Sequence, residues 1–459
     1  MVSAVSIVEQ PHKKAKLLPE ATNTTVSAGA TCELPVLTPW AESFVQEGRP
    51  LAVQAFEKLH ELSFDGIGIS RESYGRRETA AMQWCAQWAK DEGLLLEYDR
   101  AANLIVSLPG HDIALPARLT GSHLDSVPQG GNFDGAAGVI AGLVCLVVLK
   151  RRGVVPPRTL KVYAFRGEES GWFAQACKGS AALFGLLKPA HLNLKQSVTG
   201  ETLRECMRTC GADVAAIERG ERLLDTSAIA SFTELHIEQC VVLDVAKHPV
   251  AVVPSIRGLY RLNIDAFGKG DHAGATPRDL RRDAVAACAE FMTTTNEEWR
   301  RWEEAGKDLV WTCGICHTHA ERHSYSTVPD SMHLGVEFRS RDRATIDAWK
   351  AMLPGKLQDV GKRHGVEFKH EQVAFSSEAI MDPSLVTRAK DLCRKNLGFE
   401  PMVVDSGAGH DAAHFAQQGV PSVMIFVRKQ NGSHNPKEAM RMEDFMVGSA
   451  LLAQVLLEP

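Results

Sequence analysis

Short apolar runs alternate with helix-like segments over the first half of the chain, and this alternation constrains the fold more than any other feature. The runs "NLIVSL", "ARLTGSHLD", "TLKVYAFR" and "SFTELHIEQ" have the length and composition of buried strands, and residues 138–150 form an apolar helical segment. Alternating strands and helices predict an α/β fold with one sheet covered on both faces. Polar residues follow three of these strands, at the ends where such sheets bind ligands.

A complete β-α-β-β-α-β pattern follows in the second half of the chain. Its strands are "YRLNIDAF", "DLVWTCGICHTH", "SMHLGVEFRS" and "VEFKHEQVAF". The first helix is predicted to begin at "TPRDLRRDA", with Pro277 in its first turn. The second is predicted over "RATIDAWKAMLPGKLQDVGKRHG", where Pro354 could interrupt it. This order is that of the ferredoxin-like unit and predicts a separate domain.

The predicted organisation therefore has an inserted domain within a catalytic domain. We expect a mobile leader at residues 1–39, a catalytic domain at 40–256 and 376–459, and the inserted domain at 257–375. The strand "VPSVMIFVR" near the C-terminus is expected to return to the first sheet.

Composition and charge exclude several classes of partner. A net charge of −5 without a basic stripe argues against nucleic acid. The longest apolar run, residues 138–149, is too short to cross a bilayer, so we expect no membrane partner. The 11 cysteines have no regular spacing and the N-terminus lacks the order of a secretory signal, which favours a cytoplasmic protein. "CGICH" at residues 313–317 has haem-attachment spacing, but we interpret it as a strand with buried cysteines and expect no haem.

The segment "GSHLDSVPQGGNFDGAAGV" has the residues of a metal site. His123 and Asp125 lie on the same side of an extended segment, because side chains alternate with a period of two. A metal-bound imidazole needs a hydrogen-bond partner for its other nitrogen, and Asp125 is placed to accept from His123. Asp134 follows in a glycine-rich turn that lets the backbone fold closely around a cation.

Further histidines and carboxylates stand at strand ends or in glycine-rich loops. Glu168 and Glu169 follow the strand "KVYAF" and point in different directions, so one could bind a metal while the other takes a proton from water. The remaining candidates are Glu234, His236, Glu238, His272, Asp405, His410, Asp411, His414 and His434. Each alone is more often structural, but together they predict a metal centre. Mixed histidine and carboxylate ligation suits zinc, with manganese, cobalt or nickel as alternatives.

In their order along the chain, six motifs resemble those of the N-carbamoyl-amino-acid hydrolases. They are "GSHLDSVPQGGNFDGAAGV", "GEES", "ELHIEQ", "HAGATP", "SGAGHDA" and "NGSHNPKE". That group includes yeast-type β-alanine synthases, allantoate amidohydrolases and ureidoglycolate amidohydrolases, and it belongs to the dinuclear-zinc superfamily of aminoacylases and carboxypeptidase G. The resemblance runs from about Trp40 to the C-terminus. It implies a mixed-sheet catalytic domain like that of zinc aminopeptidases, with the inserted domain as a lid through which a homodimer forms.

The resemblance also implies a role for individual residues. His123, Asp134 and His236 would hold one of two divalent ions, and Asp134, Glu169 and His434 the other, with Asp134 bridging the pair. Glu168 would be the general base, beside Asp125, which orients a ligand. The substrate-side roles would be an oxyanion contact by His272, a carboxylate contact by Arg339, a substrate contact by Gln239 and a lid position at Ser326.

The substrate side departs from the pattern of the group, whereas the metal side does not. Trp172 stands where the group has an arginine, Arg278 where it has a methionine and Ser326 where it has an asparagine. "HIEQGP" becomes "HIEQCV". We expect hydrolysis of a linear amide or ureido C–N bond in a small carboxylate substrate, such as N-carbamoyl-β-alanine, another N-carbamoyl amino acid, allantoate or ureidoglycolate.

Two alternatives stay open at this point. One is an aminoacylase, a dipeptidase or a tailoring amidase that acts on an acyl amide with the same scaffold, since Trp172 and Ser326 could reshape the pocket. The other is a non-catalytic binding homologue. The complete ligand set and the retained Glu168 argue against it.

Overall fold

The computed structural model describes residues 36–322 and 324–458, which form helices around two main sheets. Its α-helices are α1 Pro39–Ser63, α2 Arg76–Asp91, α3 Ala136–Arg151, α4 Lys178–Leu183, α5 Leu203–Thr209, α6 Val214–Glu218, α7 Val242–Ala246, α8 Ala284–Glu304, α9 Arg343–His364, α10 Pro383–Leu392, α11 Ala412–Gln417 and α12 Met442–Leu457. Its strands are β1 Leu95–Tyr98, β2 Leu104–Leu108, β3 Ala117–His123, β4 Leu160–Phe165, β5 Ile229–Ile237, β6 Val250–Val253, β7 Ser255–Ile256, β8 Gly258–Phe267, β9 Asp271–His272, β10 Val310–His317, β11 Thr327–Val328, β12 Ser331–Ser340, β13 Glu367–Ser376, β14 Ala379–Ile380, β15 Met402–Val403, β16 Ser422–Val427, β17 Lys429–Gln430 and β18 Ala439–Met440.

The larger sheet has eight strands in the order β1-β2-β4-β3-β5-β16-β6-β15. Its centre is parallel, because β3 pairs in parallel with β4 and β5, and β5 in parallel with β16. The strands β2 and β6 pair antiparallel with β4 and β16, so the sheet is mixed. The predicted α/β class with a mixed sheet is confirmed, and β16 returns to this sheet as expected.

Alternating side chains of the larger sheet build a core on each of its faces. In β16, Val423 and Ile425 pack with α1, α3 and α12, whereas Met424 and Phe426 pack with residues of α4, α5 and α11. Every residue of α3 from Ala136 to Leu149 is buried, which explains why this helix is apolar on all sides. The sheet is therefore covered on both faces, as the sequence predicts.

A glycine in α3 permits a close approach to the sheet. A Cβ atom at Gly138 would lie 2.2 Å from the carbonyl oxygen of Leu235 in β5. Since real Cβ contacts are never this short, only glycine lets α3 pack directly beneath the strands that end at the candidate site.

The second sheet has four antiparallel strands in the order β10-β12-β8-β13. The chain order β8-α8-β10-β12-α9-β13 is the one that the sequence predicts. Alternate residues of β8 and β12 are buried together with α8 and α9 around Trp349 and Phe338, which are fully buried. The other face of the sheet carries polar residues such as Asp265 and His333.

The beginning of α8 differs from the prediction. The helix begins at Ala284, not near Pro277, because the Asp283 carboxylate accepts the backbone N–H groups of Val285 and Ala286 and caps the helix there. Pro277 instead leads into a short 3₁₀ turn. Pro354 lies inside α9 and does not interrupt it.

The cysteines of β10 differ from the prediction. Cys313 is half-buried and Cys316 is exposed, not buried as predicted, because β10 is the edge strand of its sheet.

The predicted leader lies outside the described residues except for its last four, and Pro39 already begins α1. Within the described chain, none of the helices combines the length and apolarity needed to cross a membrane.

Candidate metal centre

The carboxyl ends of four neighbouring parallel strands bring the predicted metal ligands together. The strands β4, β3, β5 and β16 are adjacent in the larger sheet. His123 ends β3, His236 is the penultimate residue of β5, and Glu169 follows the end of β4. Asp134 precedes α3 and His434 lies in the segment after β17. Because parallel strands end at one edge of a sheet, these five side chains converge there.

Asp134 lies at the middle of the cluster. Its Oδ1 atom is 3.2 Å from His236 Nε2 and 3.8 Å from His123 Nε2, and its Oδ2 atom is 3.3 Å from His434 Nε2. Glu169 Oε1 is 3.4 Å from the same nitrogen of His434. Candidate ligand atoms of His123, Asp134 and His236 lie within 4.8 Å of one another, as do those of Asp134, Glu169 and His434. Two groups of metal-ligand size therefore share one carboxylate.

Two buried carboxylate oxygens in this cluster have no hydrogen-bond partner among the described residues. They are Asp134 Oδ1 and Glu169 Oε1, which face the Nε2 atoms of His236 and His434 at 3.2 and 3.4 Å without forming a hydrogen bond. A buried oxygen without a partner is costly, and a cation would satisfy both. Three imidazoles and two carboxylates are donors that zinc and other first-row divalent metals accept. The residues present therefore fit a divalent metal.

The pKa shifts in the cluster reflect an excess of negative charge. Burial raises the pKa of Glu169 to about 8, and the charge of Asp134 adds to the rise. The hydrogen bond with Asp134 raises the pKa of His434 to about 9. Burial opposes protonation of His123, but its hydrogen bond with Asp125 and the nearby carboxylates outweigh this, so its pKa lies well above the ordinary value. Without a cation, the cluster would hold protons in its place.

Asp125 connects a candidate ligand to the two glutamates. Its Oδ1 atom is 3.2 Å from His123 Nδ1 and accepts the backbone N–H of Glu168 at 2.9 Å. Its Oδ2 atom accepts the backbone N–H of Glu169 at 3.0 Å and the hydroxyl of Ser73 at 2.5 Å. The backbone carbonyl of Asp125 is the hydrogen-bond partner of His123 Nδ1 at 3.1 Å, so Asp125 holds the second nitrogen of His123 with both its carbonyl and its carboxylate, as expected around a metal-bound histidine.

The turn that carries Asp134 needs a glycine. Gly135 has a φ of +67°, and a Cβ atom there would lie 2.3 Å from the His123 ring. Glu438 holds the same turn from the other side, since its Oε1 atom accepts the backbone N–H groups of Phe133 at 3.1 Å and Asp134 at 3.2 Å. The backbone around the shared carboxylate is therefore fixed by close packing and by hydrogen bonds.

Residues 119–458 match the family model of Peptidase family M20/M25/M40. The chain belongs to this family. The matched region covers every residue of the cluster and all of both main sheets except β1, β2 and the first two residues of β3.

Relatives and solved structures of this M20 family member agree with the match. The chain is similar to an N-carbamoyl-L-amino acid amidohydrolase from Geobacillus stearothermophilus, with 34% identity over 84% of this chain and 92% of the relative. It is similar to an allantoate amidohydrolase from Escherichia coli, with 30% identity over 85% of this chain and 93% of the relative. A crystal structure of an amidase of the hydantoinase/carbamoylase family from Burkholderia multivorans aligns with a TM-score of 0.79 and 26% identity, over 89% of this chain and 97% of that one.

Of the four predicted substrate-side residues of the M20 chain, Gln239 lies at the cluster and Arg339 contacts a loop that also carries His410. The amide nitrogen of Gln239 donates to Asp134 Oδ2 at 2.9 Å and is 3.2 Å from His434 Nε2. Arg339, near the end of β12, is hydrogen-bonded to Glu337 at 2.5 Å and to the carbonyl of Gly407. Gln239 thus contacts candidate ligands directly, whereas Arg339 reaches the loop after β15.

The other two, His272 and Ser326, lie in loops that contact each other. Both are exposed, and the β9–β11 ladder and a hydrogen bond from Ala273 N to the Ser326 carbonyl at 2.7 Å connect their loops. The Nδ1 atom of His272 accepts the backbone N–H groups of Gly274 and Ala275 at 3.1 Å. No hydrogen bond or ion pair within the described residues joins His272 to the cluster.

The departures on the substrate side differ in how much they affect the site. Trp172 is buried and donates its indole N–H to the carbonyl of Ser126 at 2.6 Å. It lines a cavity of about 810 Å³ together with Ser73, which contacts Asp125. Arg278 is exposed in the 3₁₀ turn before α8. Trp172 is therefore hydrogen-bonded to the residue that follows Asp125.

Most of the remaining candidates have partners that give them structural roles. These are Ser122 and Ala412 for Glu234, Val242 and Leu243 for Glu238, Ser255 and Arg341 for Asp405, Ser406 for His410, and Ser180 for both Asp411 and His414. The ring of His410 also packs against the ring of His236 with centroids 4.5 Å apart. Their polar groups mainly support the loops around the cluster.

Sequence reasoning missed several residues that contact the site, among them Ser433, which donates its hydroxyl to Asp134 Oδ2 at 2.8 Å. Ser73 and Glu438 bind the backbone or carboxylates around the ligands, and Cys177 and Lys178 contact the Glu168–Glu169 dipeptide. For Ser433 and Glu438 the sequence held a signal, since both lie in the motif "NGSHNPKE". The other three come from segments without a motif, and only the fold brings them to the site.

Proposed function

We propose that this chain is a metal-dependent hydrolase of linear amide or ureido C–N bonds in small carboxylate substrates. N-carbamoyl amino acids are the main substrate class that we propose. One observation carries this proposal: two groups of candidate metal ligands share Asp134, and the non-bridging carboxylate of Glu168 lies beside them. The activities of the relatives from G. stearothermophilus and E. coli support the choice of amide-type substrates.

The proposed metal sites use the five ligands of the cluster. His123, Asp134 and His236 would hold one divalent ion and Asp134, Glu169 and His434 the second, with zinc as the expected metal. When bound, such a pair supplies Lewis acidity to the substrate carbonyl and lowers the pKa of water. The chain itself supplies the fixed geometry, through Asp125 and Glu438.

Glu168 is the proposed general base. Its Oε2 atom is 3.9 Å from His123 Nε2, and its side chain is nearly buried at the edge of the cluster. A carboxylate in this place can take a proton from water and return it to the departing nitrogen. For an N-carbamoyl amino acid, water addition at the ureido carbonyl would yield the amino acid, carbon dioxide and ammonia.

Substrate recognition is proposed to involve the second sheet. Arg339 would exchange its contacts with Glu337 and the Gly407 carbonyl for a bidentate pair with the substrate carboxylate. Gln239 would orient the substrate beside Asp134. Residues 257–375 would act as lid and dimerisation domain, and His272 and Ser326 would reach the substrate when the lid closes or from a second copy. The functional unit would be a homodimer.

Ammonia release from a substrate panel tests the proposal. The zinc- or manganese-loaded protein is incubated with N-carbamoyl-β-alanine, N-carbamoyl-L-amino acids, allantoate and ureidoglycolate, and free amine is assayed from N-acetyl amino acids and dipeptides. We expect ammonia from a ureido substrate, and its loss with a chelator and in Glu168→Gln. Turnover of acyl amides alone would instead assign an aminoacylase activity, and binding without turnover in both wild type and Glu168→Gln would assign a binding protein.

A further inference from the structure

Every backbone polar group of the Glu168–Glu169 dipeptide has a partner. Asp125 accepts both N–H groups. The Glu168 carbonyl accepts the backbone N–H of Cys177 at 2.7 Å, and the Glu169 carbonyl accepts the ammonium group of Lys178 at 2.9 Å. The dipeptide is therefore held rigidly, and the remaining freedom of the two glutamates is in their side chains.

The two side chains differ in their partners. Glu169 Oε1 has no hydrogen-bond partner among the described residues and faces His434. In contrast, Glu168 Oε1 accepts the thiol hydrogen of Cys177 at 3.0 Å, while Oε2 faces His123. One oxygen of Glu168 is thus restrained by a hydrogen-bond donor, whereas the other faces a candidate ligand.

This restraint matters because the cluster offers an alternative ligand set. Candidate ligand atoms of His123, Glu168 and Glu169 also lie within 4.8 Å of one another. A metal bound by these three residues would consume Glu168 as a ligand. The carboxylate could then no longer accept a proton from water, so an active centre needs a reason for Glu168 to stay out of the ligand set.

Local backbone geometry places the Cys177 thiol for this contact. Cys177 precedes α4 with a φ of +50° and ψ of 41°, a left-handed conformation that is uncommon for a residue with a side chain. The residue is buried, and Lys178 ties the same loop closed through the carbonyls of Glu169 and Gln175. Two adjacent residues thus hold two adjacent glutamates.

We propose that Cys177 is a positioning residue whose thiol keeps the Glu168 carboxylate out of the metal ligand set. The inference rests on the proposed function, which makes Glu168 the base and His123 and Glu169 ligands. The hydrogen bond from Cys177 Sγ then explains why Glu168 and Glu169, although adjacent, have different roles.

Two substitutions at Cys177 separate the hydrogen bond from the packing. Cys177→Ala removes the donor, whereas Cys177→Ser keeps one, and neither adds a branched side chain at the positive φ. Cys206→Ala is the matched control, since Cys206 is a buried cysteine of α5. The affinity of the purified, metal-free proteins for Zn²⁺ is measured by competition with a chromogenic chelator, and kcat and KM are measured on the zinc-loaded forms.

The inference predicts opposite changes in metal affinity and turnover. In Cys177→Ala we expect the freed Glu168 to join the metal, so that Zn²⁺ binds about 5- to 10-fold more tightly while kcat falls at least about tenfold with little change in KM. Cys177→Ser is expected to restore both values to within about threefold, and Cys206→Ala to leave both unchanged. Unchanged or weaker Zn²⁺ affinity in Cys177→Ala, or no recovery in Cys177→Ser, would overturn the inference.

A double-mutant cycle separates this inference from the proposed function. If the extra affinity comes from Glu168, then Cys177→Ala has no effect on Zn²⁺ binding in a Glu168→Gln background. An affinity gain that persists in that background would refute the role of Cys177. If wild type turned over no substrate of the panel while the cycle gave the expected coupling, the positioning role would stand and the proposed function would fail.

Discussion

Replacing Asp125 tests whether one buried carboxylate holds the metal centre together. Its side chain is fully buried and accepts from the backbone N–H groups of Glu168 and Glu169 and the hydroxyl of Ser73, besides its contact with His123. In Asp125→Ala the hydroxyl can turn toward the Glu169 carbonyl, which is 3.4 Å away, but the two N–H groups lose their acceptor.

The expected cost follows from these two donors. A buried donor without a partner costs about 1–3 kcal/mol, so Asp125→Ala should lower the free energy of unfolding by about 3 kcal/mol. Asp125→Asn keeps one acceptor oxygen but turns an amide N–H₂ toward the other donors, and should cost about half as much. His123 Nδ1 keeps its hydrogen bond to the backbone carbonyl of residue 125 but loses the carboxylate charge 3.2 Å away, so zinc affinity should fall about tenfold in both variants.

Urea unfolding of the metal-free protein and zinc competition measure the two effects separately. Asp91→Ala is the control, because Asp91 is exposed and accepts only from Gln87 at 2.7 Å among the hydrogen bonds of the described chain. It should change the free energy of unfolding by less than about 0.5 kcal/mol. A loss below about 1 kcal/mol in Asp125→Ala, with an unchanged denaturant slope, would refute the argument that this carboxylate satisfies both N–H groups.

Three further measurements test the site and its surroundings. Gly135→Ala should lower the free energy of unfolding by about 2–4 kcal/mol and weaken zinc binding, because the new Cβ would lie 2.3 Å from the His123 ring. Gly153 has the same φ of +67° but no atom within 4 Å, so Gly153→Ala should cost only about 1 kcal/mol in the same urea assay. Burial lowers the pKa of His414 from 6.5 to about 4, so the unfolded chain binds more protons than the folded protein between these pH values. The free energy of unfolding should therefore fall by up to about 3 kcal/mol as the pH falls from 6.5 to 4. His414→Gln should remove that part of the pH profile. Zinc at about 100 times its dissociation constant should stabilise the protein by about 2–3 kcal/mol in a thermal scan, and a chelator should reverse this; an unchanged melting temperature would contradict a built metal site.

Local patterns explain what the sequence could predict. The strand that ends at His123 and the apolar helix α3 could be predicted because each is encoded within one short segment of the chain. The convergence of His123, Glu169 and His236 was predictable for a related reason, since a parallel sheet brings the ends of its strands to one edge.

Contacts between distant segments explain what the sequence could not predict. Ser73 and Asp125 are 52 residues apart, and neither stands in a pattern that pairs them. Cys177, whose thiol contacts Glu168, has a left-handed backbone, a conformation that propensities do not predict for cysteine. The predicted start of α8 is wrong because Pro277 suits a first helical turn, whereas the Asp283 cap determines where the helix begins.

The departures on the substrate side fall around both sheets, since Trp172 follows β4 of the larger sheet whereas Arg278 and Ser326 lie in loops around the second. All five candidate ligands stand in strands of the larger sheet or in loops around it, whereas Arg339, His272 and Ser326 belong to the second sheet and its loops. The second sheet touches the loop after β15 through Arg339 at Gly407, and that loop in turn supports His410 through Ser406. Since His410 packs against the ring of His236, Gly407, Ser406 and His410 stand between Arg339 and the nearest candidate ligand along this chain of contacts. Substitutions in the second sheet can therefore leave the five candidate ligand atoms in place.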